Sequence, residues 1–198
     1  MEKPEPSTAG PAPTLDVSLS VKGDDLHLAY KVRNPRREPV YLFNVLWDFA
    51  AKAKGGQLAA PSPAYACLRP NRELHLAKQI LPLPRNRKVE LRILPFATQL
   101  EPDREFEEVL RWPLPVAEYN PYFPVTPESK FEAKPAETVA FTLQLLAHTD
   151  DLQVKPAPLP GALQLWHPQL LARVETLRFG PVRMAVKVNK RLDAFEDF

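Results

Sequence analysis

The residues best suited to bind a metal ion or to act as a nucleophile are one cysteine and four histidines, in a chain of 198 residues. They are Cys67, His27, His75, His148 and His167, and they do not show the short spacings at which zinc ligands recur. The neighbours of Cys67, an alanine and a leucine, suit a small buried side chain better than a reactive thiol. The sequence therefore predicts no metal site and no nucleophilic cysteine.

Other patterns that carry catalysis are also missing from the sequence. It has no Gly-x-Ser-x-Gly elbow and no glycine-rich phosphate loop, and it contains only 6 glycines. The adjacent carboxylates Glu107 and Glu108 suit a solvated surface better than acid–base catalysis. We therefore expect no catalytic residues and no cofactor, and we predict that the chain is not an enzyme.

Arginine-rich turns are the most distinctive charged motifs. They are NPRRE (34–38), RPNRE (69–73) and PRNRK (84–88). If the strands run up and down, the first two turns lie at the same end of the fold. Guanidinium groups bind phosphate or carboxylate well, so the candidate anion-binding residues are Arg36, Arg37, Arg69 and Arg72. The alternative is that these arginines are ordinary solvated turn residues.

The net charge of +2 is unevenly distributed along the chain. Residues 22–92 carry 14 basic and 6 acidic residues, whereas residues 93–155 carry 5 basic and 11 acidic ones. Because no aromatic stacking platform accompanies the basic turns, we do not expect binding to nucleic acid. No apolar run approaches the length of about 20 residues that spans a bilayer, so we expect no membrane insertion.

Alternation of apolar and polar residues with a period of two is the strongest structural signal. It occurs at 14–21, 26–32, 88–94, 137–148 and 182–188, and further strands are predicted at 40–47, 64–68 and 73–81. A Gly-Asp-Asp turn joins the first two segments as a hairpin. Many short strands separated by prolines predict a mainly β fold, an immunoglobulin-like antiparallel β-sandwich with one or two short helices.

Two segments have helical rather than alternating spacing. Three apolar residues form an i, i+3, i+4 stripe within 102–112, where Pro102 suits the first helical turn. A strand over these residues is the alternative to this preferred helix. A second apolar stripe predicts a short helix within 168–178, with Gly180 after its end.

The proline-rich segment AEYNPYFPV (117–125) is a candidate for recognition of a partner. Its aromatic residues Tyr119, Tyr122 and Phe123 are of the kind that anchors many protein interfaces. The alternative is that these rings pack against the core as part of a closed loop.

The segment 137–147 suggests a second way to bind a protein. It places Val139, Phe141, Leu143 and Leu145 on one face, and an edge strand of this kind can pair with a strand of a partner. The alternative is an interior core strand.

The organisation along the chain is that of one domain. Residues 1–13 are predicted to be a disordered proline-rich arm, 14–190 a single β-sandwich domain and 191–198 a frayed tail. The first residues lack the apolar core of a secretory signal, and the single cysteine leaves no intramolecular disulfide, so a cytoplasmic location is expected. A signal peptide upstream of the printed sequence would instead indicate the periplasm.

Two stretches resemble the N-terminal immunoglobulin-like domain of periplasmic pilus-assembly chaperones. VRNPRREPVYLFNVLWD (32–48) is similar to their strand, asparagine-containing turn and aromatic-rich next strand. VELRILPFATQLEPDRE (89–105) is similar to their LRI and DRE motifs, at Leu91, Arg92, Ile93, Leu100, Pro102, Asp103, Arg104 and Glu105. The resemblance implies a bacterial, chaperone-like assembly factor with a strand over much of 105–112.

The sequence thus predicts a non-enzymatic β-sandwich module that binds another protein, through an edge strand and the proline/aromatic loop. The partner's identity and the oligomeric state do not follow from the sequence. A chaperone-like periplasmic assembly factor is one alternative. An enzyme or binder of an anionic ligand held by the turn arginines is the other.

Overall fold

Strands dominate the computed structural model, which describes residues 11–47, 62–85, 87–193 and 198. Strands make up 55% of the described residues and helix 2%, so the fold is mainly β, as predicted. The strands are β1 (Thr14–Lys22), β2 (Asp25–Arg33), β3 (Val40–Val45), β4 (Tyr65–Leu68), β5 (Glu73–Lys78), β6 (Phe96–Leu100), β7 (Glu105–Pro113), β8 (Val116–Ala117), β9 (Phe131–Ala147), β10 (Gln153–Pro156), β11 (Leu163–Trp166) and β12 (Glu175–Arg191). One short helix, α1, spans Leu170–Arg173. Within the described residues no helix is long and apolar enough to cross a bilayer.

The smaller sheet has three strands in the order β1-β2-β7. β1 and β2 form the predicted hairpin around Gly23, whose positive φ of 59° the turn requires. The alternation in β2 is regular, with Leu26, Leu28 and Val32 fully buried. The apolar face of this sheet therefore contributes to the core, and the opposite, polar face lies toward solvent.

The helix preferred for 102–112 is wrong, because most of this segment forms strand β7. Glu105–Pro113 pairs residue by residue with β2, from Arg33 opposite Glu105 to Asp25 opposite Pro113. This ladder satisfies the backbone and buries Leu110 and Trp112 against the core, which outweighs the local helical spacing. The inward position of Glu108 had disturbed the apolar alternation from which a strand would be predicted.

The larger sheet has nine strands, with the path β10-β11-β6-β3-β9-β12-β8 and with β5 and β4 attached beside β9. It is mixed, because β5 runs parallel to β9 and β8 parallel to β12 while the other pairs are antiparallel. β9 has β12 along one flank and β5 and then β3 along the other. The prediction that 137–147 is an edge strand is therefore wrong: this segment is an interior strand.

The strand predicted at 88–94 is also wrong. Side chains rather than a neighbouring strand contact this backbone: Tyr122 accepts a hydrogen bond from Ile93 N at 2.9 Å, and Trp47 donates to Leu94 O at 2.7 Å. The next strand, β6, begins only at Phe96 and was not predicted. Alternation without a strand partner does not make a strand.

Of the helix predicted at 168–178, only the single turn α1 is helical in the structure. β12 begins at Glu175, and Leu177 pairs with Leu143 of β9, so the apolar stripe belongs partly to a strand. The strand predicted at 182–188 lies within β12, which continues to Arg191. Arg191 is 5% exposed and so does not fit the predicted frayed tail, whereas most of the predicted arm at 1–13 lies outside the described residues.

The largest core cluster lies between the two sheets. It joins Leu28 and Leu110 of the smaller sheet to Leu74, Phe141 and Leu143 of the larger one, all nearly or fully buried. Burial of such side chains contributes roughly 2 kcal/mol each relative to exposure. This cluster fixes the position of β5, β9 and β12, the strands that also form the candidate site.

Candidate binding pocket

A cavity of about 350 Å³ lies beside β5, β9 and β12. Its chemically distinctive lining residues are Arg69, Glu73, His75, Thr142, Arg178 and Phe198. We call this set the basic pocket. It combines two guanidinium groups, one carboxylate, one imidazole, one hydroxyl and one phenyl ring.

The β4–β5 turn positions the first three of these residues. Arg69 N donates to Glu73 O at 2.9 Å and Arg72 N to Arg69 O at 3.0 Å, so the turn is closed by its own backbone. Arg72 adopts a φ of 60°, in the left-handed region that tight turns often need. Glu73 and His75 then follow two residues apart on β5, which places them on one face of the sheet.

The sheet register supplies the next two residues. β5 runs parallel to β9 with His75 opposite Ala140, and His75 Nε2 lies 3.0 Å from Thr142 Oγ1. Thr142 is in turn opposite Arg178 on β12. Neighbours across a pair of strands share a face, so three adjacent strands bring the imidazole, hydroxyl and guanidinium groups together.

A bulge in β12 shapes the pocket wall. The register between β12 and β9 shifts between Phe179 and Val182, and Gly180 adopts a φ of +84°. A Cβ at this position would come within 2.8 Å of Val139 O, so glycine is required for both space and conformation. Bulges of this kind recur beside functional sites, where they redirect nearby side chains.

Charge within the basic pocket is only partly neutralised. Arg69 Nη1 lies 2.8 Å from Glu73 Oε1, and the Glu73 side chain is 7% exposed. Arg178 is exposed, and its guanidinium group forms no hydrogen bond or ion pair with other side chains that the structure describes. The side chains that line the pocket therefore include two guanidinium groups and one carboxylate.

His75 is neutral near pH 7. Burial is the main cause that lowers its pKa to about 4, with further contributions from the positive charges of Arg69 and Arg178. Glu73 Oε1 lies 3.9 Å from Nδ1, too far for a hydrogen bond. The His75 side chain is only 8% exposed, and its Nδ1 atom is buried without a hydrogen-bond partner among the described residues. A buried polar atom of this kind is suited to a ligand.

Phe198 already occupies part of the pocket. Its backbone oxygen accepts a hydrogen bond from Arg69 Nη2 at 2.8 Å. Its ring meets the His75 ring edge-on, with centroids 5.8 Å apart, and the Tyr65 ring with centroids 6.2 Å apart. Edge-to-face contacts of this kind are favourable. The pocket thus accommodates one phenyl ring together with one acceptor oxygen.

The four arginines predicted to bind an anion do not converge. Arg36 forms two hydrogen bonds to Glu175, at 2.6 and 2.7 Å, and Arg72 pairs with Glu137. Arg37 is exposed. Arg69 alone of the four lines the basic pocket.

The predicted protein-binding residues lie mainly in the core. Tyr119, Tyr122 and Phe123 are 6–8% exposed and pack in a cluster with Trp47 and Phe96. Val139, Phe141, Leu143 and Leu145 are fully buried. In this conformation neither set offers more than a small side-chain surface to a partner.

Five pocket residues were not predicted as a site: Glu73, His75, Thr142, Arg178 and Phe198. The sequence contains a pattern that points to the first two, because Glu73 and His75 lie two positions apart at the end of an arginine-rich turn. The local pattern predicts a helix at Arg178 and a frayed tail at Phe198. Their convergence depends on pairing between strands distant in sequence, which local patterns do not show.

The described part of the chain holds no group of three or more His, Cys, Asp or Glu residues that could bind a metal ion. Comparison with models of known protein families, with curated proteins and with solved structures gives no match. The resemblance to pilus-assembly chaperones therefore stays a prediction.

Proposed function

We propose that the chain is a non-enzymatic, immunoglobulin-like β-sandwich module that binds a segment of another protein in the basic pocket. The observation that carries this proposal is Phe198, whose ring contacts His75 and whose backbone oxygen accepts a hydrogen bond from Arg69. A phenyl ring beside a carbonyl group is the chemistry of a peptide. The sandwich interpretation is supported by the core cluster that the two sheets share.

The pocket is a better binding site than a strand edge. Among the described strands, the flank of β12 away from β9 pairs only with β8, at Val188 and Asn189. The pairing of β12 with β9 is bulged between Phe179 and Val182, and Pro181 within the bulge has no N–H to donate to an added strand. The side chains of the basic pocket would instead provide the recognition.

An acid–base enzyme is less well supported by the same residues. The depressed pKa of His75 keeps the imidazole neutral over the range in which histidine acids operate. Glu73 is held by Arg69 and lies 3.9 Å from His75 Nδ1. The group of residues is therefore better arranged to bind than to move a proton.

Site-specific photo-crosslinking in lysate of the source organism tests the proposal. A benzoylphenylalanine replaces Gln79, which lines the pocket, or Gln99, which is exposed on β6 and serves as the control. We expect a protein adduct from position 79 that is absent from position 99. Arg178→Glu should reduce this adduct, whereas Arg183→Glu, on the same strand but outside the pocket lining, should not. An adduct that Arg178→Glu leaves unchanged would contradict the proposed site.

A further inference from the structure

Phe198 leaves room beside itself in the basic pocket. The cavity of about 350 Å³ is lined by Phe198 and extends to Arg178, Gly180 and Gln79. Two groups beside Phe198 lack partners among the described residues: the Arg178 guanidinium, which is exposed, and His75 Nδ1, which is buried. The occupied part of the pocket selects an aromatic ring, and the open part offers hydrogen-bond donors and positive charge.

The chemistry of the open part favours an acidic group. Arg178 can form a charge-assisted hydrogen bond to a carboxylate, and such bonds are about twice as strong as neutral ones. His75 Nδ1 donates when Nε2 accepts from the Thr142 hydroxyl, and the nearby Glu73 carboxylate favours a proton on Nδ1. Glu73 itself is already held by Arg69, so it repels a second carboxylate less than a free glutamate would.

The chain around Phe198 has the same composition. In the sequence LDAFEDF (192–198), Asp193, Glu196 and Asp197 precede Phe198 by one to five positions, and there is no basic residue. Phe198 therefore comes from an acidic stretch of the chain. An acidic ligand with a phenylalanine is also the kind that Arg178 and His75 Nδ1 favour.

Building on the proposed function, we infer that the ligand of the basic pocket is an acidic peptide segment with a phenylalanine, and that this ligand displaces Phe198. The phenylalanine of the ligand takes the place of the Phe198 ring against His75 and Tyr65. An acidic side chain of the ligand pairs with Arg178. Phe198 is held near the pocket by its own chain, so it competes at an effective concentration of about 1 mM.

Fluorescence anisotropy with a synthetic LDAFEDF peptide, labelled at its N-terminus, tests the inference. The full chain is compared with its Phe198→Ala variant, and Phe131→Ala, which removes an exposed phenylalanine on β9, is the control. For a peptide that binds with a Kd of about 100 µM, removal of a competitor at about 1 mM tightens apparent binding roughly tenfold. We expect this gain for Phe198→Ala and none for Phe131→Ala.

A second set of variants, made in the Phe198→Ala chain, tests the contacts. Arg178→Glu should weaken peptide binding at least tenfold, whereas Arg183→Glu should change it less than twofold. Arg69→Gln should also weaken binding, whereas Arg72→Gln, in the same turn but paired with Glu137, should not. Circular dichroism checks that each variant is folded, and Arg178→Glu provides the test if Arg69→Gln is not.

Three results would overturn the inference. The first is equal binding of LDAFEDF to the full chain and to Phe198→Ala, which would show that Phe198 does not compete. The second is that a peptide with alanine in place of both phenylalanines binds as tightly as LDAFEDF. The third is that neither peptide binds. The crosslinking at position 79 uses no peptide, so it decides the proposed function separately.

Discussion

Lys78 on β5 of the larger sheet binds both carboxylate oxygens of Glu108 on β7 of the smaller sheet, at 2.9 and 2.8 Å. Lys78 Nζ also donates to Asn44 O at 2.7 Å, so its three donors all have acceptors. The Tyr30 hydroxyl donates to the same carboxylate. This partly buried ionic contact joins the two sheets, and it accounts for an acidic residue on the inward face of β7.

Removal of Lys78 should destabilise the fold strongly. Its side chain is 3% exposed, and burial lowers its pKa while Glu108 opposes that shift. In Lys78→Ala the Glu108 carboxylate would keep its partly buried position without its cation, and breaking such pairs costs about 3 kcal/mol or more. Urea denaturation measures the loss. Lys134→Ala, which removes one partner of an exposed pair with Glu132, should cost less than about 1 kcal/mol. Equal losses in the two variants would contradict a structural role for the Lys78–Glu108 contact.

The stability of the fold should decrease as the pH is lowered, because of His75. Its pKa is about 4 in the folded chain, so the unfolded chain, with an ordinary histidine pKa near 6.5, binds more protons between these values. The stabilisation is therefore complete above about pH 6.5 and is lost as the pH falls toward 4. Between pH 7 and pH 5 the loss is about 2 kcal/mol.

The His75→Gln variant isolates this contribution, because glutamine cannot titrate. Urea denaturation at pH 7 and pH 5 should show that wild type loses about 2 kcal/mol more than the variant. Arg69, Arg178 and Glu73 face His75 and are common to both proteins. If the two proteins lose the same free energy of unfolding, His75 is not a buried neutral histidine.

The hairpin of β1 and β2 and the strand at 182–188 could be predicted because their signals are local. Alternation over several residues, with turn residues between the segments, is enough to indicate them. β7 could not be predicted in this way, since its inward face carries Glu108, whose partner Lys78 lies on the other sheet. The 88–94 segment has good alternation but contacts side chains such as Tyr122 instead of a strand.

The same distinction applies to the basic pocket. Arg69 was predicted because it stands in a conspicuous turn. Arg178 and Phe198 become neighbours of His75 only through strand pairing and chain packing across more than 100 positions of sequence. Sequence patterns identify single turns and strands, whereas the site depends on how three strands lie beside one another.

Arg36 should stabilise the fold, and its neighbour Arg37 should not. Arg36 lies between β2 and β3, is 11% exposed in its side chain and binds Glu175 at the start of β12 through two hydrogen bonds. Arg36→Gln should therefore lower the free energy of unfolding by about 1–2 kcal/mol, as expected for loss of a paired charge. Arg37 is exposed, so Arg37→Gln should change stability by less than about 0.5 kcal/mol. Thermal denaturation of both variants distinguishes a structural arginine from a solvated one, and a larger effect at Arg37 would contradict this assignment.

Gly180 should tolerate no side chain, although it lies on the exposed surface of β12. A Cβ there would approach Val139 O to 2.8 Å and Ala140 Cα to 3.2 Å, and its φ of +84° disfavours any other residue. Gly161 is the matched control, because it has a φ of +73° but no atom within 4 Å of an added Cβ. The conformational cost alone is about 1–2 kcal/mol and applies to both sites. Gly161→Ala should therefore cost about 1 kcal/mol, and Gly180→Ala about 3 kcal/mol, because only the second variant must also separate β12 from β9.

Urea denaturation gives both values, and amide hydrogen exchange should show faster opening near Val139 in Gly180→Ala alone. Equal costs at the two glycines would mean that the bulge beside the basic pocket can move aside without loss of strand pairing.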